Sequence, residues 1–269
     1  MASQITSSGY ILRDSVKLFY EREGNSDAKT ILFIHGLGGT TNAFQTLVSE
    51  LQGFDLVRFD FSGHGRSSLP SESSIESFVA DCEAIISYLG LKNIVVVGHS
   101  LGGLISFHLA AKRPEAVKGV VAFGPGVPPP EAGQKALATR STTVRAQGMG
   151  AVADAIVSNA FSVSSLINRK GEISLAREML TRQDPEGYAQ AVDAMARSSP
   201  PAWSQIQARV LILSGEEDKV STVAVGAGIV RDIGSNAKQV VCNGVGHWHM
   251  LESPSECVKA IVSVAKDST

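Results

Sequence analysis

Residues 93–111 run for 19 positions without a charged side chain. That length approaches a membrane span, yet the run is broken by Gly98, His99, Ser100, Gly102, Gly103 and His108, which a hydrocarbon environment tolerates poorly. Its early part, 94–97, is β-branched throughout, whereas 101–112 has helical spacing and must stop near Pro114. The stretch therefore reads as a buried strand, a sharp turn flanked by glycine, and a helix. A short strand with no polar face that feeds straight into a helix belongs in a parallel sheet covered on both sides.

The same alternation recurs along the chain, with apolar runs at 30–34, 56–59, 117–123, 210–213 and 239–242 separated by helical patterns. Upstream, 4–11 and 16–20 predict two antiparallel edge strands joined by a turn at Arg13-Asp14. Ile75, Phe78, Val79, Cys82, Ile85 and Ile86 mark one face of a helix, with Ser73 and Glu76 as a capping box and Gly90 as its stop. A last helix is expected over 258–265. The alternation fails between Pro125 and Pro201, where Pro128-Pro129-Pro130 is followed by four helical patterns and no strand. Asp184 caps one of them, with Pro185 in its first turn. The expected fold is α/β, a mostly parallel central sheet flanked by helices, with a core of residues 1–124 and 202–269 and a helical cap at 125–201.

Composition narrows the function. The 24 Lys+Arg and 26 Asp+Glu give a net charge of -2, without the basic domain that a nucleic-acid partner requires. Cys82, Cys242 and Cys257 form no C-x-x-C pair and read as buried free thiols in a reducing compartment. Residues 1–10 have neither a cationic segment nor an apolar run of signal-peptide length, and Asp267-Ser268-Thr269 is not a peroxisomal tripeptide. A cytoplasmic protein without membrane attachment is the expectation.

Gly98-His99-Ser100-Leu101-Gly102 fits G-x-S-x-G, and it sits between strand and helix as a nucleophile elbow must. A serine hydroxyl attacks only when an imidazole takes its proton, and the imidazole needs a carboxylate to fix its tautomer and stabilise its charged form. Beyond the run at 210–213 lie Glu216, Glu217 and Asp218; beyond that at 239–242 lie Gly246, His247 and His249. No third ligand at a recognisable spacing accompanies the two histidines, so no metal is expected. Acyl transfer also needs backbone N–H donors for the developing oxyanion. Leu101, at the start of the helix, is one; Leu37 is the other, because the glycines of His35-Gly36-Leu37-Gly38-Gly39 free that turn to aim its N–H inward.

In order, the 35–39 turn, Asp60-Phe61-Ser62-Gly63-His64-Gly65-Arg66-Ser67-Ser68, the elbow, Gly215 to Asp218, and Gly246-His247 through Glu252-Ser253-Pro254 resemble the α/β-hydrolase superfamily in its capped, cofactor-free form. The resemblance covers most of the chain outside the cap. The spacing from Gly246 to Glu252 and Pro254 favours His247 over His249, and Asp218 completes the order Ser100, Asp218, His247. The resemblance implies an acyl-enzyme on Ser100, a small ester or lactone substrate and no cofactor. Within the cap, residues 144–149 and 184–189 are similar to the 3-oxoadipate enol-lactonase branch. Residues 133–200 hold eight Lys/Arg and six Asp/Glu, a balance that suits a carboxylate-bearing substrate, and Arg145, whose neighbours match the branch pattern, is its candidate reader over Arg140. Trp203 and Trp248 are candidates for lining the pocket, with core packing the alternative. Carbon-carbon bond hydrolases, perhydrolases and slow-turnover ligand receptors use the same triad and stand as rival readings. Nothing in the sequence gives an oligomeric state.

Overall fold

A computed structural model describes residues 5–267; residues 1–4, 268 and 269 lie outside it, and with them the first position of the run at 4–11 and the end of the C-terminal tripeptide. The chain order is β1 (Ile5–Arg13), β2 (Val16–Gly24), β3 (Thr30–Ile34), α1 (Gln45–Val48), β4 (Asp55–Phe59), α2 (Ile75–Leu89), β5 (Ile94–His99), α3 (Leu101–Lys112) and β6 (Val117–Phe123). Five helices follow without a strand: α4 (Glu131–Gln147), α5 (Ala153–Ala160), α6 (Val163–Asn168), α7 (Lys170–Thr181) and α8 (Pro185–Ala196). The alternation then resumes with β7 (Arg209–Gly215), α9 (Val223–Ile233), β8 (Ala237–Cys242), α10 (His249–Glu252) and α11 (Pro254–Asp267).

The eight strands form one sheet in the order β1-β2-β4-β3-β5-β6-β7-β8. Only the β1–β2 and β2–β4 pairs are antiparallel; every other pair is parallel, as the α/β pattern requires. Along β3, Leu32 and Ile34 enter one apolar cluster with residues of α2, α3 and α9, while Ile31 and Phe33 enter another with residues of α1 and α11. The second cluster continues into the helical segment through Val144, Val157, Leu180 and Tyr188. Sheet and segment thus share one core.

Four local expectations need correcting. β2 is not an edge strand, because Tyr20 to Gly24 pair with β4. The capping box of α2 lies one residue on: Ser77 N–H donates to Ser74 Oγ at 3.1 Å and Ser74 N–H to Ser77 Oγ at 2.9 Å. Ser73 is instead buried and donates to Gln190 of α8 at 3.1 Å, a long-range partner that no local pattern announces. The closing helix begins at Pro254, which is suited to a first turn where no N–H is needed. The segment between β6 and β7 holds five helices rather than four, because α6 is too short to display a period.

The start of α8 presses directly on the loop after β4, where a Cβ on Gly187 would lie 2.1 Å from the Gly63 carbonyl oxygen. Cys82, Cys242 and Cys257 are free and buried. Among the described residues, no helix is long and apolar enough to cross a membrane.

Candidate active site

Ser100 joins β5 to α3 at φ 54° and ψ −117°, a backbone state that side chains other than glycine rarely adopt. The surroundings impose it. Its N–H donates to Phe123 O of β6 at 3.0 Å, and its carbonyl accepts from Gly103 N at 2.9 Å and Gly126 N at 2.8 Å. A Cβ on Gly102 would meet Ile34 O at 2.0 Å, so only glycine lets α3 start this close to β3. The serine is held at the carboxyl edge of the sheet, 7% exposed. Leu101 is the first residue of α3, where backbone N–H groups have no intrahelical acceptor.

β7 and β8 deliver a carboxylate and an imidazole to the same edge. Asp218, three residues past the end of β7, accepts from His247 through Oδ2, 2.8 Å from Nδ1. Its Oδ1 accepts from Val220 N at 2.7 Å and Ser221 N at 2.8 Å. Burial pushes the carboxyl pKa up, but the imidazole and these backbone donors outweigh it and hold the group below the ordinary carboxylate value. With Nδ1–H donated to Asp218, Nε2 of His247 keeps a lone pair able to take a proton. The neighbouring acids point elsewhere: Glu216 accepts from Gly244 N and Glu217 from Val163 N, each at 2.9 Å.

The loop carrying His247 is fastened on every side. His247 N–H donates to Ala160 O at 2.6 Å, and its carbonyl accepts from His99 Nε2 and His249 Nδ1, each at 2.9 Å. Burial lowers the pKa of both flanking imidazoles. His249 therefore supports the loop, and His247 alone bonds the acid. Glu252, a spacing marker in the sequence, is a hydrogen-bond hub in the fold. Its carboxylate accepts from Gly246 N at 3.0 Å, Trp248 N at 3.0 Å and Ser162 N at 2.9 Å, and it ties the loop to α6.

Leu37 is the first central residue of a turn closed by Gly39 N–H donating to Gly36 O at 3.0 Å, with Gly38 at φ +73° as a type II turn requires. Pairing of Ile34 with Gly98 sets this turn beside the elbow, where a Cβ on Gly36 would come within 2.8 Å of Ser100 Cβ.

The remaining candidates are placed differently. Arg145 lies between α4 and α8, bonded through Nε and Nη2 to Glu186 at 2.8 and 3.1 Å and through Nη1 to Asp193 at 2.8 Å. Its guanidinium is shared between two protein carboxylates. Trp203 sits in a short turn with its ring edge-on to Phe107 of α3 at 5.4 Å, the core alternative. Trp248 is 2% exposed, between the rings of His99 at 5.1 Å and Phe161 at 6.2 Å. Arg140, the alternative to Arg145 in the sequence, is half-buried on α4, where its charge acts on the Tyr188 hydroxyl, and among the described residues it has no carboxylate partner.

A family model described as alpha/beta hydrolase fold matches residues 29–254. The chain is 26% identical to 3-oxoadipate enol-lactonase 2 of Acinetobacter baylyi over 254 residues, 93% of this chain and 94% of that protein. The solved enol-lactonase of Burkholderia xenovorans LB400 superposes with a TM-score of 0.89 at 24% identity, covering 96% of this chain and 100% of the other. A malate-bound thermophilic esterase from Thermogutta terrifontis does so at 0.89 and 23%, covering 98% and 99%.

Proposed function

The chain belongs to the alpha/beta hydrolase fold family, and on that premise we propose that it cleaves a small carboxylic ester or lactone through an acyl-enzyme on Ser100. The observation that carries the reading is the 2.8 Å bond between buried His247 and buried Asp218 at the sheet edge that also holds the Ser100 elbow. His247 takes the Ser100 proton as the hydroxyl attacks the carbonyl carbon and returns it to the leaving oxygen; water then repeats the sequence in reverse. Asp218 keeps the imidazole oriented and stabilises its cationic form. The N–H groups of Leu37 and Leu101 receive the oxyanion.

In this reading, residues 125–201 are a cap that covers the site. Met195 of α8 supports it, since its methyl comes within 3.0 Å of a Cβ built on Gly126, whose N–H holds the Ser100 carbonyl. The enol-lactonase relative and the Arg140 guanidinium, which has no carboxylate partner among the described residues, favour a lactone bearing a carboxylate. An alkyl fluorophosphonate should label Ser100 stoichiometrically, and Ser100→Ala should abolish both labelling and turnover of p-nitrophenyl esters and lactones while leaving the melting temperature within a few degrees. Labelling that survives the substitution removes the nucleophile assignment.

A further inference from the structure

The turn that presents Leu37 is held from above by one side chain of the helical segment. Gln183, between α7 and α8, is 4% exposed. Its Nε2 donates to Gly38 O, Gly39 O and Met179 O, each at 3.1 Å, and its Oε1 accepts from Gly65 N at 3.1 Å. Both ends of the amide are therefore in use, and a flip would turn its oxygen against three carbonyl oxygens while leaving Gly65 N–H unpaired. Leu180 and Tyr188 press on the same turn, where a Cβ on Gly38 would meet them at 2.3 and 3.3 Å. From below, His35 Nδ1 bonds Gly36 O at 2.9 Å and Gly36 lies against Ser100. The turn is clamped between two parts of the chain, and the upper one is the segment that covers the site.

A backbone N–H lies in the plane of its own peptide, and Leu37 N–H belongs to the Gly36–Leu37 peptide, whose carbonyl accepts from Gly39 N–H at 3.0 Å. Gly38 O and Gly39 O belong to the Gly38–Gly39 and Gly39–Thr40 peptides on the closing side of that turn, and Gly38 is its flexible position. Fixing both carbonyls leaves the turn few ways to rotate Leu37 N–H away from the serine. An oxyanion hole stabilises the transition state only while its donors are aimed before charge develops.

We propose that Gln183 is a positioning residue for the oxyanion hole: it makes the aim of Leu37 N–H depend on the seating of the α7–α8 corner. The proposal rests on the reading of the chain as a serine ester hydrolase. Gln183 touches neither Ser100 nor substrate, so its effect falls on the tetrahedral state and not on ground-state binding. Seating the segment over a bound substrate and completing the hole are then one event.

The test compares the full-length chain with Gln183→Met, which keeps the length and loses all four hydrogen bonds, and with Gln183→Glu, which keeps an acceptor for Gly65 N and loses the donors. Val144→Ala, at a fully buried position of α4, destabilises the same segment without touching those bonds and serves as the stability control. Both Gln183 variants should lower kcat on a p-nitrophenyl ester by about 10- to 100-fold with KM within about threefold, somewhat less than deletion of an oxyanion donor. The rate of fluorophosphonate labelling and the affinity for a tetrahedral boronic acid should fall by the same factor. Val144→Ala should lower the melting temperature with kcat within about threefold. Wild-type kcat in the Gln183 variants, or an equal kcat loss in Val144→Ala at matched stability, overturns the positioning role. Should Gln183→Met fail to fold, Gln183→Glu carries the same comparison. If the wild-type chain itself is not labelled at Ser100, the hydrolase reading falls first, and with it the proposal.

Discussion

The carboxyl edge of the sheet and the helical segment between β6 and β7 handle charge in opposite ways. At the sheet edge the acid side chain is 0% exposed and the base 7%, and the partners of Asp218 are backbone N–H groups as well as His247. In the segment, Arg145 pairs with Glu186 at 38% and 43% exposure, Arg177 with Asp154 at 58% and 69%, and Arg182 with Glu178 at 79% and 58%. Buried polar groups must be satisfied completely, so the fold dictates their geometry. Exposed pairs gain little and are screened by water and salt, so their positions are interchangeable. Chemistry belongs where the backbone does the holding.

The sharpest way to break this contrast is Asp218→Asn. The amide presents the wrong donor pattern to His247, and kcat should fall by about four orders of magnitude with the melting temperature little changed. Glu217→Gln should cost far less, because Glu217 only receives Val163 N–H. A comparable loss at Glu217 would put the acid in the wrong place.

The next effect concerns stability against pH. His35, His64, His99 and His249 are each 2% exposed or less. Burial lowers all four pKa values from 6.5, that of His35 to about 4. Below pH 6.5 the unfolded chain takes up protons that the folded chain refuses, so this stability is complete above 6.5 and is lost as pH falls through it. Two carboxyls oppose the trend. Burial lifts Asp60 to about 6 and also raises Asp81, so the folded chain binds those protons first and recovers part of the loss. Four histidines outnumber the two carboxyls, so the net result is a loss of stability as pH falls below 6.5. Denaturant midpoints at pH 7, 6 and 5.5 measure it, and a flat profile would contradict the buried neutral histidines.

The smallest effects lie in the helical segment and separate its two arginines. Arg140→Ala should reduce kcat/KM for a carboxylated lactone by about 1.5 to 3 kcal/mol and leave short neutral esters unchanged. Arg145→Ala should leave kcat/KM alone for both and cost less than about 1 kcal/mol of stability, as exposed pairs do. Reversal of the two results would return the substrate contact to Arg145.

The same contrast explains what could be read from the sequence. The parallel strands and the Ser100 elbow announce themselves because each is specified by near neighbours: β-branched runs, flanking glycines, a helix directly behind. Asp218 and His247 could be placed at strand ends by chain order and favoured over Glu217 and His249 by family spacing, and the 2.8 Å contact pairs them. Gln183 was not legible, since its partner Gly38 lies 145 residues away and an isolated glutamine in a helical linker carries no signal. Arg140 and Arg145 are on one helix, and the difference between facing Tyr188 and facing Glu186 is a matter of rotation that a weakly amphipathic sequence does not record. Ser73 and Ser74 differ in the same way, by a contact to α8 that lies outside any local window.

The three buried thiols supply a clock. Thiolate is the form that alkylating reagents attack, and burial raises the pKa of all three, that of Cys242 to about 11. Folded chains are therefore nearly inert to iodoacetamide, and the rate of labelling reports how often each site opens. Cys82 lies in α2, whereas Cys242 and Cys257 bracket the loop that carries His247. Equal labelling rates at all three mean that the molecule opens only as a whole. A faster rate at Cys242 and Cys257 than at Cys82 times the loosening of the base loop by itself, without substrate and without a mutation.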